Sequence, residues 1–337
     1  MEKLLGKFPV EGVLAVDGGA SKADLALVDL DGRLLAAKRT RGRYNFGLGR
    51  TGSFGALSEA IQSLIPSHNG RAVAATGIYC LAGADIPIDD RRIAAELRAQ
   101  GWTTRTIVRN DTFAVMRAGT DRNWGVAVVC GTGMNCAGVG PDGRSVRFPS
   151  FGELSGDRAH GGGWLGRTAL GAAIRARDGR GPRTELETLV PEHFGMSRPT
   201  QLMEAIYVGR IEYDRMSEVA PLVIKAAAHG DEVARGMLDE MIEEIVVTAG
   251  AAIRRLHVTT TDVHVVLGGG VMRGADKAML AKIRAGIRRH APKAEAFVID
   301  APPVLGAALI GLDEMGAPAG AGRRLRRTLT HRRLATA

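Results

Sequence analysis

Residues 13–24 read Val13-Leu14-Ala15-Val16-Asp17-Gly18-Gly19-Ala20-Ser21-Lys22-Ala23-Asp24. The apolar run at 13–16 is typical of a buried strand, and the acid and two glycines after it indicate a tight turn. A second strand pattern occupies 24–29, and after the turn Asp31-Gly32 a third occupies 34–37. This part of the chain therefore predicts three consecutive strands with tight connections.

The same pattern returns 113 residues later. An apolar run at 126–129 ends at Cys130-Gly131-Thr132-Gly133, and a strand pattern at 135–139 is followed by the turn Pro141-Asp142-Gly143. The shift places Gly18 on Gly131 and Asp29 on Asp142. The chain thus contains a diverged repeat of strand, glycine turn, strand, turn and strand.

Helical and strand patterns alternate elsewhere, which predicts an α/β fold with parallel strand pairs beside the first meander. In the first part, helices are predicted at 53–65 and 89–100 and strands at 71–79 and 105–108. Residues 163–257 are mainly helical in pattern, including an amphipathic segment at 231–256. A closing unit is predicted from a strand at 263–267, the turn Gly268-Gly269-Gly270, a helix at 275–289, a strand at 296–299 and a helix at 304–312.

Glycine is unusually frequent, with 45 among 337 residues where an average usage of roughly 7% gives about 24. Three glycine turns follow strands, at 17–22, 130–133 and 268–270. Hairpin geometry alone explains one such turn, but three favour sites where backbone N–H groups converge on phosphate oxygens. The G-x-x-x-x-G-K-[ST] phosphate loop is absent, and Gly131-Thr132-Gly133 is not a G-x-G-x-x-G dinucleotide fingerprint.

The formal net charge is +9, and six arginines with no acid among the last fifteen residues supply +6 of it. These residues are Arg323, Arg324, Arg326, Arg327, Arg332 and Arg333. No aromatic residue is interleaved with them, and the rest of the chain carries only +3. We therefore expect a solvated, disordered tail and no nucleic-acid binding.

A membrane protein is not expected, because no apolar run approaches the roughly 20 residues of a membrane helix. The start, Met1-Glu2-Lys3-Leu4-Leu5-Gly6, lacks the apolar region of a signal peptide, so the prediction is a cytoplasmic enzyme. Cys80, Cys130 and Cys136 lie in apolar, strand-like surroundings without a C-x-x-C pair, which favours buried thiols.

The three glycine turns resemble the motifs of a known superfamily. Its first phosphate motif is matched by Asp17-Gly18-Gly19-x-Ser21-Lys22-x-Asp24, its second by Gly131-Thr132-Gly133-x-Asn135, and its adenosine motif by Val266-Leu267-Gly268-Gly269-Gly270-Val271. With the repeat, they are similar to the actin, Hsp70 and sugar-kinase superfamily. The finer resemblance is to N-acetylglucosamine kinases and the related BadF/BadG/BcrA/BcrD ATPase group, over about residues 13–312.

The resemblance implies an α/β fold of two actin-like, ribonuclease H-like domains with an ATP cleft between them. The expected division is an N-terminal domain at 1–118, a C-terminal domain with helical insertions at 119–322, and the basic tail at 323–337.

It also implies sites for ATP and Mg²⁺. The residues expected to bind ATP are Gly18, Gly19, Ser21, Lys22, Gly131, Thr132, Gly133, Gly268, Gly269 and Gly270. Asp17 suits a carboxylate that binds Mg²⁺ through water, since Mg²⁺ keeps several waters; a turn-forming role before two glycines is the alternative. For Lys22, phosphate contact and simple exposure to solvent both stay open.

The sugar-binding elements of the superfamily are matched by Asn45, Gly83, Ala84, Asn110, Asp111 and Asp157. Asp111 follows a predicted strand at the entrance to a helix, and by the resemblance it is the base that accepts the proton of the sugar hydroxyl. The alternative is a helix N-cap, for which Asn110 or Asp111 would serve equally.

The loop at 151–166 is glycine-rich, and we expect it to face a ligand. Sugar kinases of this group have Gly-Asp-Glu-Gly-Ser here, whereas Asp157 is followed by Arg158, Ala159, His160 and three glycines. If the missing Glu contacts the sugar, selectivity at the 1 or 2 position changes. The roles of Arg158 and His160 stay open.

Two functions follow from the resemblance. The first is an ATP-dependent sugar kinase that transfers the γ-phosphate to the 6-hydroxyl of N-acetylglucosamine or a close amino sugar or hexose, with a homodimer as the expected assembly. The alternative is a BadF-type ATPase activator that couples ATP hydrolysis to a partner reductase through a [4Fe–4S] cluster on exposed cysteines. The apolar surroundings of the three cysteines argue against the activator.

Overall fold

The computed structural model describes residues 8–19, 22–42, 44, 46, 52–68 and 70–335. The strands are β1 Val10–Gly18, β2 Lys22–Asp29, β3 Leu34–Arg41, β4 Ala74–Leu81, β5 Thr103–Asn110, β6 Gly125–Cys130, β7 Met134–Val139, β8 Ser145–Arg147, β9 His264–Gly268 and β10 Glu295–Val298. The helices are α1 Gly52–Leu64, α2 Pro87–Gln100, α3 Asp111–Gly119, α4 Gly162–Arg177, α5 Leu186–His193, α6 Pro199–Tyr207, α7 Ala220–Ala228, α8 Glu232–Arg255, α9 Gly270–Gly274, α10 Lys277–His290, α11 Pro303–Glu314, α12 Ala321–Thr328 and α13 His331–Ala335. Short 3-10 helices occupy Pro66–His68, Gly152–Ser155 and Tyr213–Val219.

In the described part of the chain, the strands form two five-stranded sheets. The first has the order β3-β2-β1-β4-β5. β2 is antiparallel to β1 and to β3, whereas β4 is parallel to β1 and to β5. The predicted meander and the predicted α/β class are confirmed. The register pairs Asp17 with Asp24 on β2 and with Cys80 on β4, so the end of β1 is flanked by two strands.

Both faces of the first sheet are covered by helices. On one face, Leu14 of β1 belongs to a buried cluster with Leu57 of α1 and Ile93 of α2. On the other, Gly311 of α11 lies so close to Val13 that a Cβ there would overlap the valine side chain. Because adjacent strand residues point to opposite faces, the run at 13–16 supplies both layers.

The second sheet has the order β10-β9-β6-β7-β8, with β9 and β10 parallel. The strands β6, β7 and β8 are neighbours in chain order, as β1, β2 and β3 are in the first sheet. The second copy of the three-strand repeat is therefore present. The helices α4 to α8 form the mainly helical stretch that the sequence predicts between β8 and β9.

The chain divides into two compact units at positions that differ from the predicted ones. The first unit comprises the described residues up to 127, 137–145 and 299–335, and the second comprises 128–136 and 146–298. The predicted boundary after 118 treated the C-terminal residues as part of the second domain. They belong to the first unit because α11 packs on α3 and β1.

The basic tail also differs from the expected disordered segment. Residues 321–328 and 331–335 are helical, and Leu325, Leu329 and Leu334 are buried. Arg326 donates hydrogen bonds to the backbone oxygens of Ala118 and Thr120 at the C-terminal end of α3. These leucines and this capping arginine dock the segment on the first unit, because a helix end offers unpaired carbonyl groups.

Among the described helices, none is both long and apolar enough to span a membrane.

Candidate active site

In the first unit, the β1–β2 turn is closed by backbone hydrogen bonds. Gly19 N donates to Lys22 O at 2.9 Å, and Ala82 N donates to Gly18 O at 2.8 Å. A Cβ at Gly18 would lie 2.8 Å from a methyl group of Leu81, so a larger residue would push the turn away from β4. Ser21 and Asn45, which the sequence assigns to ATP and sugar binding, lie outside the described residues.

Asp17 is the penultimate residue of β1, and its side chain is buried, at 9% exposure. Burial raises the pKa of its carboxyl well above the usual range, and the negative charges of Asp111 and Asp24 raise it further. In the described part of the chain, no donor forms a hydrogen bond with this carboxylate. A buried carboxylate that repels its neighbours is suited to a cation.

The Asp24 carboxylate is fully buried, and two basic side chains neutralise its charge. Its carboxylate accepts hydrogen bonds from Arg39 Nε at 2.7 Å, Arg39 Nη2 at 2.8 Å and Lys22 Nζ at 2.9 Å. Burial acts to raise the pKa of Asp24, but Arg39 and Lys22 outweigh it and lower the pKa overall. The ammonium of Lys22, expected to contact phosphate or solvent, thus lies on Asp24.

The start of α3 shows which of the two adjacent polar residues is the helix cap. Asn110 Oδ1 accepts a hydrogen bond from Thr112 N at 3.0 Å, so Asn110 is the N-cap. Its amide nitrogen donates to Asp85 Oδ1 at 2.8 Å. Asp111 is therefore the first helical residue, and its carboxylate is not needed as a cap.

The carboxyl group of Asp111 has a raised pKa. Burial raises the pKa of its carboxyl to about 6. A carboxylate with a pKa in this range is ionised at pH 7 and still binds a proton more strongly than an ordinary aspartate.

The turn after β4 carries two of the predicted sugar contacts. Gly83 has φ of 85°, a left-handed conformation that favours glycine, and Ala84 N donates to Leu81 O at 3.2 Å. The next residue is Asp85, the hydrogen-bond partner of Asn110. This turn and the start of α3 are therefore joined side chain to side chain.

In the second unit, the second and third glycine turns lie against each other. Gly131 N donates to Gly133 O at 2.8 Å, which closes the β6–β7 turn around Thr132. Gly269 has φ of 94°, and a Cβ there would overlap the carbonyl group of Cys130. The resemblance assigned these turns to phosphate and adenosine, and the structure brings them together.

The loop that contains Asp157 joins the second glycine turn as well. Gly162 N donates to Gly131 O and Gly163 N donates to Thr132 O, both at 2.8 Å. Asp157 is half-buried and accepts a hydrogen bond from Ser155 Oγ at 2.7 Å. The glycines at 161–163 are thus required by close backbone approach, and the loop packs on the predicted phosphate turn.

Sequence reasoning missed Arg167 and Tyr213. Arg167 lies on α4 with its guanidinium 3.3 Å from His160 Nε2 and 5.7 Å from the centre of the Tyr213 ring. The one available signal was an arginine four residues after Gly163, on the same face of the helix.

The cysteines are buried, as the sequence predicts. Burial raises the pKa of the Cys130 thiol to about 12 and the pKa values of Cys80 and Cys136 well above the usual range. Thiols in such surroundings hold their protons and are poor cluster ligands. Among the described residues, no group of three or more His, Cys, Asp or Glu side chains is arranged to hold a metal ion.

Comparison with known proteins places these features in context. The model of the BadF/BadG/BcrA/BcrD ATPase family matches residues 14–311. The N-acetylmuramic acid/N-acetylglucosamine kinase of Clostridium acetobutylicum is 25% identical over 307 residues, which are 90% of this chain and 98% of that protein. The N-acetyl-D-glucosamine kinase of Dictyostelium discoideum is 24% identical over 319 residues, 89% of this chain and 97% of that protein.

Solved structures show the same likeness. A candidate N-acetylglucosamine kinase from Chromobacterium violaceum has a TM-score of 0.69 and 26% identity, covering 90% of this chain and 99% of that chain. A ROK family glucokinase from Streptomyces griseus, in complex with glucose and AMPPNP, has a TM-score of 0.55 at 17% identity, covering 89% of this chain and 99% of that one. The predicted fold of the sugar kinases is confirmed.

Proposed function

Because the chain belongs to the BadF/BadG/BcrA/BcrD ATPase family, we propose that it is an ATP-dependent sugar kinase. The reaction transfers the γ-phosphoryl group of ATP to the 6-hydroxyl of N-acetylglucosamine or of a close amino sugar or hexose. Two relatives at about 25% identity over most of their length are N-acetylglucosamine kinases, which supports this class of substrate.

The observation that carries the proposal is the raised pKa of the Asp111 carboxyl beside the helix cap Asn110. Asn110 is the N-cap of α3, and burial raises the pKa of the Asp111 carboxyl to about 6 although hydrogen bonds from Thr112 act to lower it. In the proposed reaction this carboxylate accepts the proton of the sugar hydroxyl while the hydroxyl oxygen bonds to the γ-phosphorus. The bond between that phosphorus and the departing oxygen of ADP breaks in the same transfer.

The surroundings of Asp17 fit a hydrated Mg²⁺. Its carboxylate is buried, lacks a hydrogen-bond donor among the described residues, and is repelled by Asp111 and Asp24. Mg²⁺ prefers one or two carboxylates and several waters, so a single aspartate is a sufficient protein ligand. When bound, the ion would neutralise charge on the phosphates.

The glycine turns would bind the nucleotide. The backbone of the turn at Gly18 and Gly19, and that of the turn at Gly131, Thr132 and Gly133, would approach the phosphates. Gly268, Gly269 and Gly270 would lie against the adenosine. This proposal is supported by the close approach of Gly269 to the Cys130 carbonyl, because the turns at 131–133 and 268–270 then lie side by side.

The sugar would be held by polar groups near α3. Asn110, fixed by Asp85, and the turn at Gly83 and Ala84 would bind its hydroxyls beside Asp111. Asn45 and Asp157 complete the proposed sugar contacts. A dimer and a cytoplasmic location stay predictions, and light scattering of the purified protein tests the dimer.

The activator function is disfavoured by the three cysteines. A cluster shared between subunits needs exposed thiolates, whereas these thiols are buried and hold their protons.

A substrate panel tests the proposal. The full chain is incubated with Mg-ATP and a set of hexoses and amino sugars, and ADP release is followed by a coupled assay. We expect sugar-dependent ADP release with N-acetylglucosamine or a close relative, and loss of that release in Asp111→Asn. Asp31→Asn, which changes an exposed acid in the same unit, is the matched control. ATP binding without ADP release for any sugar would refute the kinase.

A further inference from the structure

Arg167 lies beside the second glycine turn. The first residues of α4 donate backbone hydrogen bonds to that turn, from Gly162 to Gly131 O and from Gly163 to Thr132 O. A Cβ at Gly163 would stand 3.2 Å from Arg167 Nη1 and 3.2 Å from Thr132 O. The guanidinium therefore extends back over Gly163 towards the turn, as expected for a side chain one helical turn further on.

Among the described residues, neighbouring side chains hold the Arg167 guanidinium without a direct ion pair. It lies over the ring of Tyr213, with its central carbon 5.7 Å from the ring centre, and Nη2 lies 3.3 Å from His160 Nε2. The neighbouring acid, Glu153, contacts His160 at 3.1 Å instead. In the described part of the chain, no carboxylate lies within ion-pair distance of Arg167. The Tyr213 ring and His160 thus orient a half-buried cation that makes no ion pair with a described carboxylate.

We propose that Arg167 is a further phosphate-binding residue, whose guanidinium binds the terminal phosphate oxygens of ATP on the second glycine turn. The planar guanidinium presents paired N–H donors that match phosphate oxygens, and an aromatic face and an imidazole keep it oriented. The inference rests on the proposed function, because it takes ATP as the nucleotide. It adds a side-chain cation to a turn that otherwise offers backbone donors.

The test separates the terminal phosphates from the rest of the nucleotide. Calorimetry measures the affinity of the full chain for Mg-ATP and for AMP, which lacks the β- and γ-phosphates. Arg167→Ala is expected to weaken Mg-ATP binding by about 10- to 100-fold, the range for a hydrogen bond to a charged group, while AMP binding changes less than about twofold. Arg167→Lys is expected to recover part of the loss, because lysine keeps the charge but not the planar donors.

Arg177→Ala is the matched control, since it removes one arginine from the exposed C-terminal end of the same helix. Unchanged AMP binding in Arg167→Ala also shows that the variant is folded. Equal Mg-ATP affinity in wild type and Arg167→Ala would overturn the proposal, and so would a loss of sugar affinity with unchanged ATP affinity.

The same measurements distinguish a failure of the proposed kinase function from a failure of the role proposed for Arg167. If the wild type binds Mg-ATP but phosphorylates no sugar, the kinase fails and the comparison of ATP with AMP still decides the role of Arg167. If the wild type binds neither nucleotide, both proposals fail.

Discussion

The substitution Gly306→Ala on α11 tests how closely α11 must pack against α3 to hold Asp111 in place. α11 crosses α3 so closely that a Cβ on Gly306 would overlap the carbonyl oxygen of Ala114 and stand 2.7 Å from Ala118 N. Both are backbone atoms of α3, and 2.7 Å is well inside the roughly 3.5–4.0 Å optimum of non-bonded atoms. Neither atom can rotate away, so in Gly306→Ala the two helices must move apart.

The expected change in the free energy of unfolding of Gly306→Ala is the sum of two opposing contributions. Replacing glycine by alanine in a helix gains about 1 kcal/mol, whereas overpacking costs typically about 1–3 kcal/mol. Because the obstruction is backbone, we take the upper end of that cost and expect a net loss of about 2 kcal/mol in the free energy of unfolding. The matched control is Gly55→Ala on α1, where the added Cβ meets nothing within 4 Å and a gain of about 0.5–1 kcal/mol is expected.

Urea unfolding followed by tryptophan fluorescence measures both variants, and steady-state kinetics measures turnover. Since α3 begins at Asp111, its displacement should lower kcat by about 100-fold, while AMP affinity stays near wild type. The reasoning is refuted if Gly306→Ala is as stable as Gly55→Ala, or if it keeps full kcat.

The remaining predictions concern three charged residues. The kcat/KM of the wild type should fall about tenfold per pH unit below about pH 6, because Asp111 gains a proton there. Asp111→Asn should lower kcat by about 10²–10⁴-fold. A kcat/KM that stays constant down to pH 5 would contradict the role assigned to Asp111. Because the pKa of Asp111 is raised to about 6, the folded state loses stability as pH rises from about 4 to about 6, so Asp111→Asn should also be more stable than wild type at pH 7 and not at pH 4. Asp24→Asn should lower the free energy of unfolding by about 2 kcal/mol at pH 7, less than for a fully enclosed ion pair, because Arg39 and Lys22 are partly exposed and regain water. Since the pKa of Asp24 is lowered in the folded state, the difference from wild type should shrink as pH falls through that pKa. Urea unfolding at pH 7 and pH 3 measures this difference, with Asp31→Asn as the control. Arg326→Ala should lower the free energy of unfolding by about 1–3 kcal/mol, because it leaves carbonyl groups of α3 unpaired. Arg327 is exposed, so Arg327→Ala should change the free energy of unfolding by less than about 0.5 kcal/mol. Equal effects of the two substitutions would show that the cap at α3 is unimportant.

The strands, the helices and the repeat could be predicted because they depend on local patterns. The apolar run at 13–16, the glycine turn after it and the copy 113 residues later specify a meander without reference to distant residues. The structure extends β1 to Val10–Gly18, because the pattern shows where a strand is buried and pairing decides where it ends.

The C-terminal segment shows where local pattern was insufficient. Six arginines made it look solvated, although Leu325 and Leu329 are four residues apart, as on one face of a helix. Whether such a weak stripe docks depends on the surface that receives it. Here the end of α3 receives Arg326, and no property of the tail alone reveals that.

The candidate site divides in the same way. The sequence by itself determined which residue types follow each strand: an acid and glycines after β1, Asn110 and Asp111 after β5, glycines after β6 and β9. It could not determine which of two adjacent polar residues caps α3, that Lys22 lies on Asp24, or that Arg167 extends over Gly163. The reason is physical: a turn or a strand follows from interactions within a few residues, whereas the partner of a charge, and the pKa that results, depends on groups that only folding brings within a few ångströms.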